Sequence, residues 1–199
     1  MLEQERKKLE EHSYNYISMG ISADGKGQGS YWIPWKSTAC AFNMRLPHVF
    51  LTPEDLADLK IMELLGKYEV IGCYVYTELE DYSVLSRFTQ LQDIQILCGK
   101  NLKDLSFMKD MKEWFMLYIE GATLEDISAP FDRGERGFAI HSYCLGFVDC
   151  RIKDTAPIKA SGLRLSELIV HSKLEDMVYE QWKDIPAGHR SLHIQRDDA

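Results

Sequence analysis

The chain has no apolar run approaching the roughly 18 residues that a membrane helix needs, so no spanning segment is expected. It also lacks an excess of cations. Lys and Arg total 23 against 31 Asp and Glu, for a net charge of −8. That balance argues against nucleic acid and against an anionic membrane surface as partners, because both call for a basic face. Five cysteines (Cys40, Cys73, Cys98, Cys144 and Cys150) are scattered without CxxC spacing. They give no metal site, and they read as reduced thiols in a cytoplasmic protein. The first dozen residues, MLEQERKKLEEH, contain no apolar core of a secretory signal, although a secreted fragment stripped of its leader would look the same. No Ser-His-Asp or Cys-His set stands in a recognisable local motif, so neither an enzyme nor a cofactor is expected.

What the chain does have is a period. Leu56, Asp58, Leu59, Met62 and Leu65 are followed 23 residues later by Leu79, Asp81, Tyr82, Leu85 and Phe88. After the same interval come Leu102, Asp104, Leu105, Met108 and Met111. Leu124, Asp126 and Ile127 continue the run one residue short, and Leu174, Asp176 and Met177 echo it. A fixed interval of this size marks stacked units, each of which buries its apolar side only against a neighbour. The recurring aspartates are expected to be structural, accepting backbone N–H groups at the same turn in every unit.

Each unit opens on a strand candidate, at 70–76, 91–97 and 114–120. Ile71, Ile94 and Leu117 fall at one offset and Cys73, Ile96 and Ile119 at another, so these positions are expected to point inward on adjoining strands. Val148 with Cys150, Leu168 with Val170, and Leu192 with Ile194 are expected to continue the pattern. Thr52 and Pro53 have the chemistry of a helix start, with Leu56, Leu59, Met62 and Leu65 as its buried stripe and Gly66 as its stop. Residues 2–12 read as a helical cap over the first open edge. A polar loop at 20–29 leads to Tyr31, Trp32 and Trp35, read as a short strand. Residues 132–144 break the period, as an insertion or as a divergent unit with a strand at 138–143.

Two motifs are set aside. Gly20 to Lys26 nearly matches a phosphate-binding loop, but Gly27 stands where the motif needs a hydroxyl. His189 and His193 lie about 13 Å apart if they sit on a strand, too far for one metal.

The segment LQDIQILCGKNLKDLSFMKDMKEW, residues 91–114, resembles a leucine-rich repeat of the bacterial internalin-like subtype. Leu91, Ile94 and Ile96 take the strand positions, Asn101 and Leu102 the turn, and Asp104, Leu105 and Ser106 the descent. Residues 79–83 and 124–128 match that descent. The asparagine of the family's hydrogen-bonded ladder occurs only at Asn101, with Glu78 and Thr123 at the comparable places. The resemblance implies an α/β solenoid shaped as a short horseshoe, with a parallel β-sheet on the concave face and short helices or 3₁₀ turns on the back. An N-terminal cap is expected over 1–44 and five to six repeats over 45–199. The resemblance also implies a binding module for a protein or peptide.

On that basis the outward strand positions form the expected binding face. One row is Gly72, Gln95, Tyr118, Asp149 and Ile169, and the next is Tyr74, Leu97, Glu120, Arg151 and His171. A flanking row holds Val70, Asp93, Met116, Phe147 and Glu167. Aromatic groups among acidic ones suit protein recognition. The alternatives are an acidic mimic that neutralises or regulates another protein, and a hydrolase or transferase sited near Asp149, Cys150 and His171.

Overall fold

The computed structural model describes residues 1–11, 15–26, 48–111, 113–132, 143–174 and 176–194. Tyr31, Trp32, Trp35, Cys40 and all but Tyr143 of the strand candidate at 138–143 lie outside them. The described chain is α/β, built on an eight-stranded sheet in which every pairing is parallel. Its strands are β1 (Tyr16–Ile21), β2 (His48–Leu51), β3 (Glu69–Val75), β4 (Asp93–Ile96), β5 (Met116–Glu120), β7 (Tyr143–Val148), β9 (Leu165–Ser172) and β10 (Ala187–Ile194). Two short strands, β6 (Thr123–Leu124) and β8 (Arg151–Ile152), pair separately. The order across the large sheet is β2-β1-β3-β4-β5-β7-β9-β10. From β3 onward each strand lies beside its successor, while β1 sits between β2 and β3.

One face of this sheet carries the core. Met19, Cys73, Ile94, Leu117, Leu145 and Leu168 stand side by side, followed by Arg190 on β10. Two residues along lie Ile21, Val75, Ile96, Ile119, Phe147, Val170 and Leu192. All but Arg190 and the half-buried Leu192 are buried. They meet residues from the connecting segments, among them Leu79, Leu85, Leu102, Leu105, Leu124 and Ile127. Alternate residues on a strand face opposite ways, so the apolar rows pack inward and the intervening rows face out.

The expected side-by-side trio is therefore shifted on its first strand. Cys73, not Ile71, lies beside Ile94 and Leu117. The step from Cys73 to Ile94 is 21 residues, two short of the period, so the pairing slides by two and keeps its face. On the β1 side a bulge, with Ile17 paired to Val70 but Ser18 to Gly72, leaves Ile71 as an extra residue. The fourth strand is shifted further. Leu145 and Phe147 point into the core, where Val148 and Cys150 are the expected pair. The interval between Leu117 and Leu145 is 28 residues where the expected pair implies 31, and a displacement by three, being odd, flips the face.

The connections are short. Segments expected to be helical turns are 3₁₀ helices at Tyr82–Arg87 and Ser106–Met108. The Thr52-Pro53 start leads only to a 3₁₀ turn, Glu54–Ala57, and α2 (Leu59–Leu65) begins afresh at Asp58. Leu59 is consequently 79% exposed, and not part of a buried stripe. Asp58, Asp81, Asp104 and Asp126 each accept the backbone N–H two residues on, at 2.8–2.9 Å. Asp154 does the same with Ala156 at 2.8 Å, marking a unit over 152–155 that the sequence period skips. Bonds from the Ser83 hydroxyl and amide hold the Asp81 carboxyl below the usual carboxylate range. Glu78 accepts from Asn101 N at 2.8 Å, and Asn101 Nδ2 donates to Leu79 O at 3.2 Å, tying neighbouring turns together.

The β2 strand packs against α1 (Glu3–Glu10). Leu9 is fully buried, and Tyr68 donates its hydroxyl to Leu9 O at 2.8 Å. Buried Glu5 accepts the Phe50 N–H at 2.7 Å and pairs with Lys8 at 2.6 Å. A carboxylate so placed satisfies an edge amide that water cannot reach. Glu5→Ala should cost about 1–3 kcal/mol in urea unfolding. Glu5→Gln should retain part of that, because its side-chain oxygen still accepts from Phe50.

Candidate interaction surface

The sheet face opposite the core carries three rows. The first is Ser18, Gly72, Asp93, Met116, Cys144 and Glu167; the second is Gly20, Tyr74, Gln95, Tyr118, Gly146, Ile169 and Ser191. The third lies at the C-terminal ends of the strands. There Glu120, Val148, His171 and His193 stand in register, preceded by Leu97 and Tyr76, whose amides bond Val75 O and Ile21 O.

Much of the first two rows is buried, with Met116 at 1% and Tyr118 at 4% exposure, yet neither joins the core cluster. A polar network runs through them. The Tyr74 hydroxyl donates to Asp93 Oδ2 at 2.7 Å, and Gln95 Nε2 donates to Asp93 Oδ1 at 3.1 Å. Burial nevertheless lifts the Asp93 carboxyl above the ordinary range, because desolvation outweighs both bonds. Burial and the neighbouring Asp93 likewise raise the Tyr74 phenol. At the β2 end, Ser18 Oγ and His48 Nδ1 are 2.8 Å apart. Burial, then Lys8, pushes His48 down to about 4. A Cβ on Gly20 would lie 2.6 Å from the Phe50 ring and 2.7 Å from His48, so only glycine fits beneath those rings.

The third row differs. Tyr76, Leu97, Glu120, Val148 and His171 are half-buried and His193 is exposed. Burial, then Asp149, raises the Glu120 carboxyl. His171 Nε2 lies 2.6 Å from Ser191 Oγ, and its ring is 6.1 Å from that of His193.

Of the residues expected on the binding face, Tyr74, Asp93, Gln95, Met116, Tyr118, Glu120, Ile169 and His171 do share it. Three do not. Phe147 points into the core, 5.5 Å from the Trp182 ring between centroids. Asp149 lies past the end of β7 in a turn with φ +48°, and accepts Lys173 N at 2.9 Å. Arg151 belongs to β8 and pairs with Asp176 at 2.6 Å. All three follow from the displaced register of β7. Ser18, His48 and Phe50 were missed because β1 and the order of β2 were not anticipated; the alternation in His48–Leu51 is too short to signal a strand by itself.

The Asp149, Cys150 and His171 set does not assemble as a nucleophile with its base. Cys150 Sγ contacts the carbonyls of Ile119 and Val148, and burial pushes its thiol up to about 12. A thiol so held is a poor nucleophile. Among the described residues no cluster of three or more His, Cys, Asp or Glu is arranged to hold a metal, and no helix is long and apolar enough to cross a membrane. No protein-family model matches the sequence, and no curated protein or solved structure shows significant similarity to it.

Proposed function

We propose that this chain is a leucine-rich-repeat-type solenoid and a non-enzymatic module that binds a protein or peptide along the C-terminal row of its sheet. Repeated strand–turn units, each with an aspartate closing the same turn, support the solenoid part of the reading. The binding part rests on one observation. Tyr76, Leu97, Glu120, Val148 and His171 stay half-exposed across five strands, while Gly20, Gln95, Tyr118, Gly146 and Ile169 in the row beside them are buried. A ribbon of apolar, aromatic and acidic groups on rigid strand ends offers anchoring contacts at low entropic cost.

A random peptide library selected on the wild-type protein tests the reading. Peptides should enrich, and Leu97→Asp combined with Glu120→Lys should weaken the best of them at least about tenfold with an unchanged melting temperature. Tyr118 is a poor choice for this test because it is buried, and Tyr74 because its hydroxyl is tied to Asp93. Failure of any peptide to enrich, or equal affinity for the double variant, overturns the proposal.

A further inference from the structure

On the outward face of β9 and β10 the strand register brings two histidines together. It sets Glu167 beside His189, Ile169 beside Ser191, and His171 beside His193. The His171 and His193 ring centroids are 6.1 Å apart, with the ring planes at 81°. Two imidazoles that share one tetrahedral zinc, each bound at about 2.0–2.1 Å, have centroids about 5 Å apart. The remaining distance of about 1 Å closes with a small turn of His193, whose side chain is exposed.

His171 is the fixed member of the pair. It is half-buried, and its Nε2 lies 2.6 Å from Ser191 Oγ. A metal-bound imidazole typically gives its second ring N–H to an oxygen, which sets the tautomer and orients the ring. Ser191 supplies that oxygen: with the proton on Nε2, the lone pair is on Nδ1. The charges of the two strands also suit a cation. Glu167 shares this face, whereas Arg190 lies in the core-side row and donates to the carbonyls of Lys183 and Ile185.

We infer that His171 and His193 form a zinc site, each binding through one ring nitrogen, with water at the remaining tetrahedral positions. Imidazole nitrogen selects zinc over magnesium and calcium, which take oxygen ligands. His189 is not a ligand. It stands about 13 Å along the strand from His193, and its Nδ1 is 3.6 Å from Glu167 Oε1. The site is independent of the peptide-binding proposal, whose test variants leave both histidines in place.

The test is isothermal titration of zinc chloride into the metal-stripped full chain at neutral pH. One zinc ion per chain should bind with a Kd below about 100 μM, and magnesium chloride should give no binding. Zinc in excess should also raise the melting temperature, as any ligand of the folded state does. His193→Gln alters an exposed side chain and should stay folded by circular dichroism, with zinc affinity weakened at least about tenfold. His171→Gln should show the same loss, and His189→Gln should bind zinc as the wild type does. Absence of saturable binding up to about 1 mM zinc overturns the inference. So does unchanged affinity in His193→Gln, or an equal loss in His189→Gln.

Discussion

Phe147→Ala is expected to destabilise the protein by about 3–5 kcal/mol in urea unfolding, one of the largest effects of any single side-chain truncation here. The ring is 1% exposed and stands between Ile119 and Val170 in the core row, against Trp182. Its removal forfeits apolar burial and leaves a cavity whose walls belong to three strands. The lower end of the range has a specific cause. The Trp182 indole N–H is buried without a hydrogen-bond acceptor among the described residues, and water entering the cavity would give it one. Trp182 emission should then shift to the red in the folded variant. Phe147→Leu keeps most of the volume and should cost less than about 1.5 kcal/mol. A loss of under about 0.5 kcal/mol for the alanine variant is what an exposed ring would give, and it would place Phe147 on the opposite face.

Lowering the pH should expose the second large effect, through His48. Its folded pKa is depressed to about 4 from 6.5, so the unfolded chain takes up the proton first as pH falls. The contribution is full above the unfolded value and disappears as pH falls through the folded one. Stability from this group should drop by about 3 kcal/mol between pH 7 and pH 4. Asp93 and Glu120 act in the other direction. Their raised pKa values make their contribution greatest at low pH and lost as pH rises past the ordinary carboxylate range. Comparison with His48→Gln separates the two, since the amide can still bond Ser18 but does not titrate. The difference in unfolding free energy between wild type and variant should narrow toward acid by the stated amount. A pH-independent difference would show that the imidazole remains solvated in the folded state.

The parallel sheet and its inward rows were legible wherever the 23-residue period held. Ile94 and Leu117 lie side by side because β4 and β5 are separated by that interval and nothing interrupts it. The turn aspartates were equally readable, since the same geometry needs the same acceptor in each unit. Register failed where length changed locally. A 21-residue step from β3 to β4 slid the first row by two, and a 28-residue step from β5 to β7, in place of the expected 31, moved Phe147 from the expected binding face into the core. A strand has a period of two, so an odd displacement inverts every side chain on it. The candidate surface was therefore half readable: Glu120 and His171 keep their places, while Asp149 and Arg151 leave it. Burial of Met116 and Tyr118 was not deducible either, because alternation assigns a face but not what lies over it.

The placement of β1 between β2 and β3 has a consequence for biosynthesis. A ribosome must extrude the chain through Val75 before β1 can acquire both of its flanking partners. Each later strand needs only the one already laid down. Shortening from the C-terminus should thus peel the molecule gradually, whereas cutting within the first 75 positions strips β1 of a flanking strand that no later segment supplies.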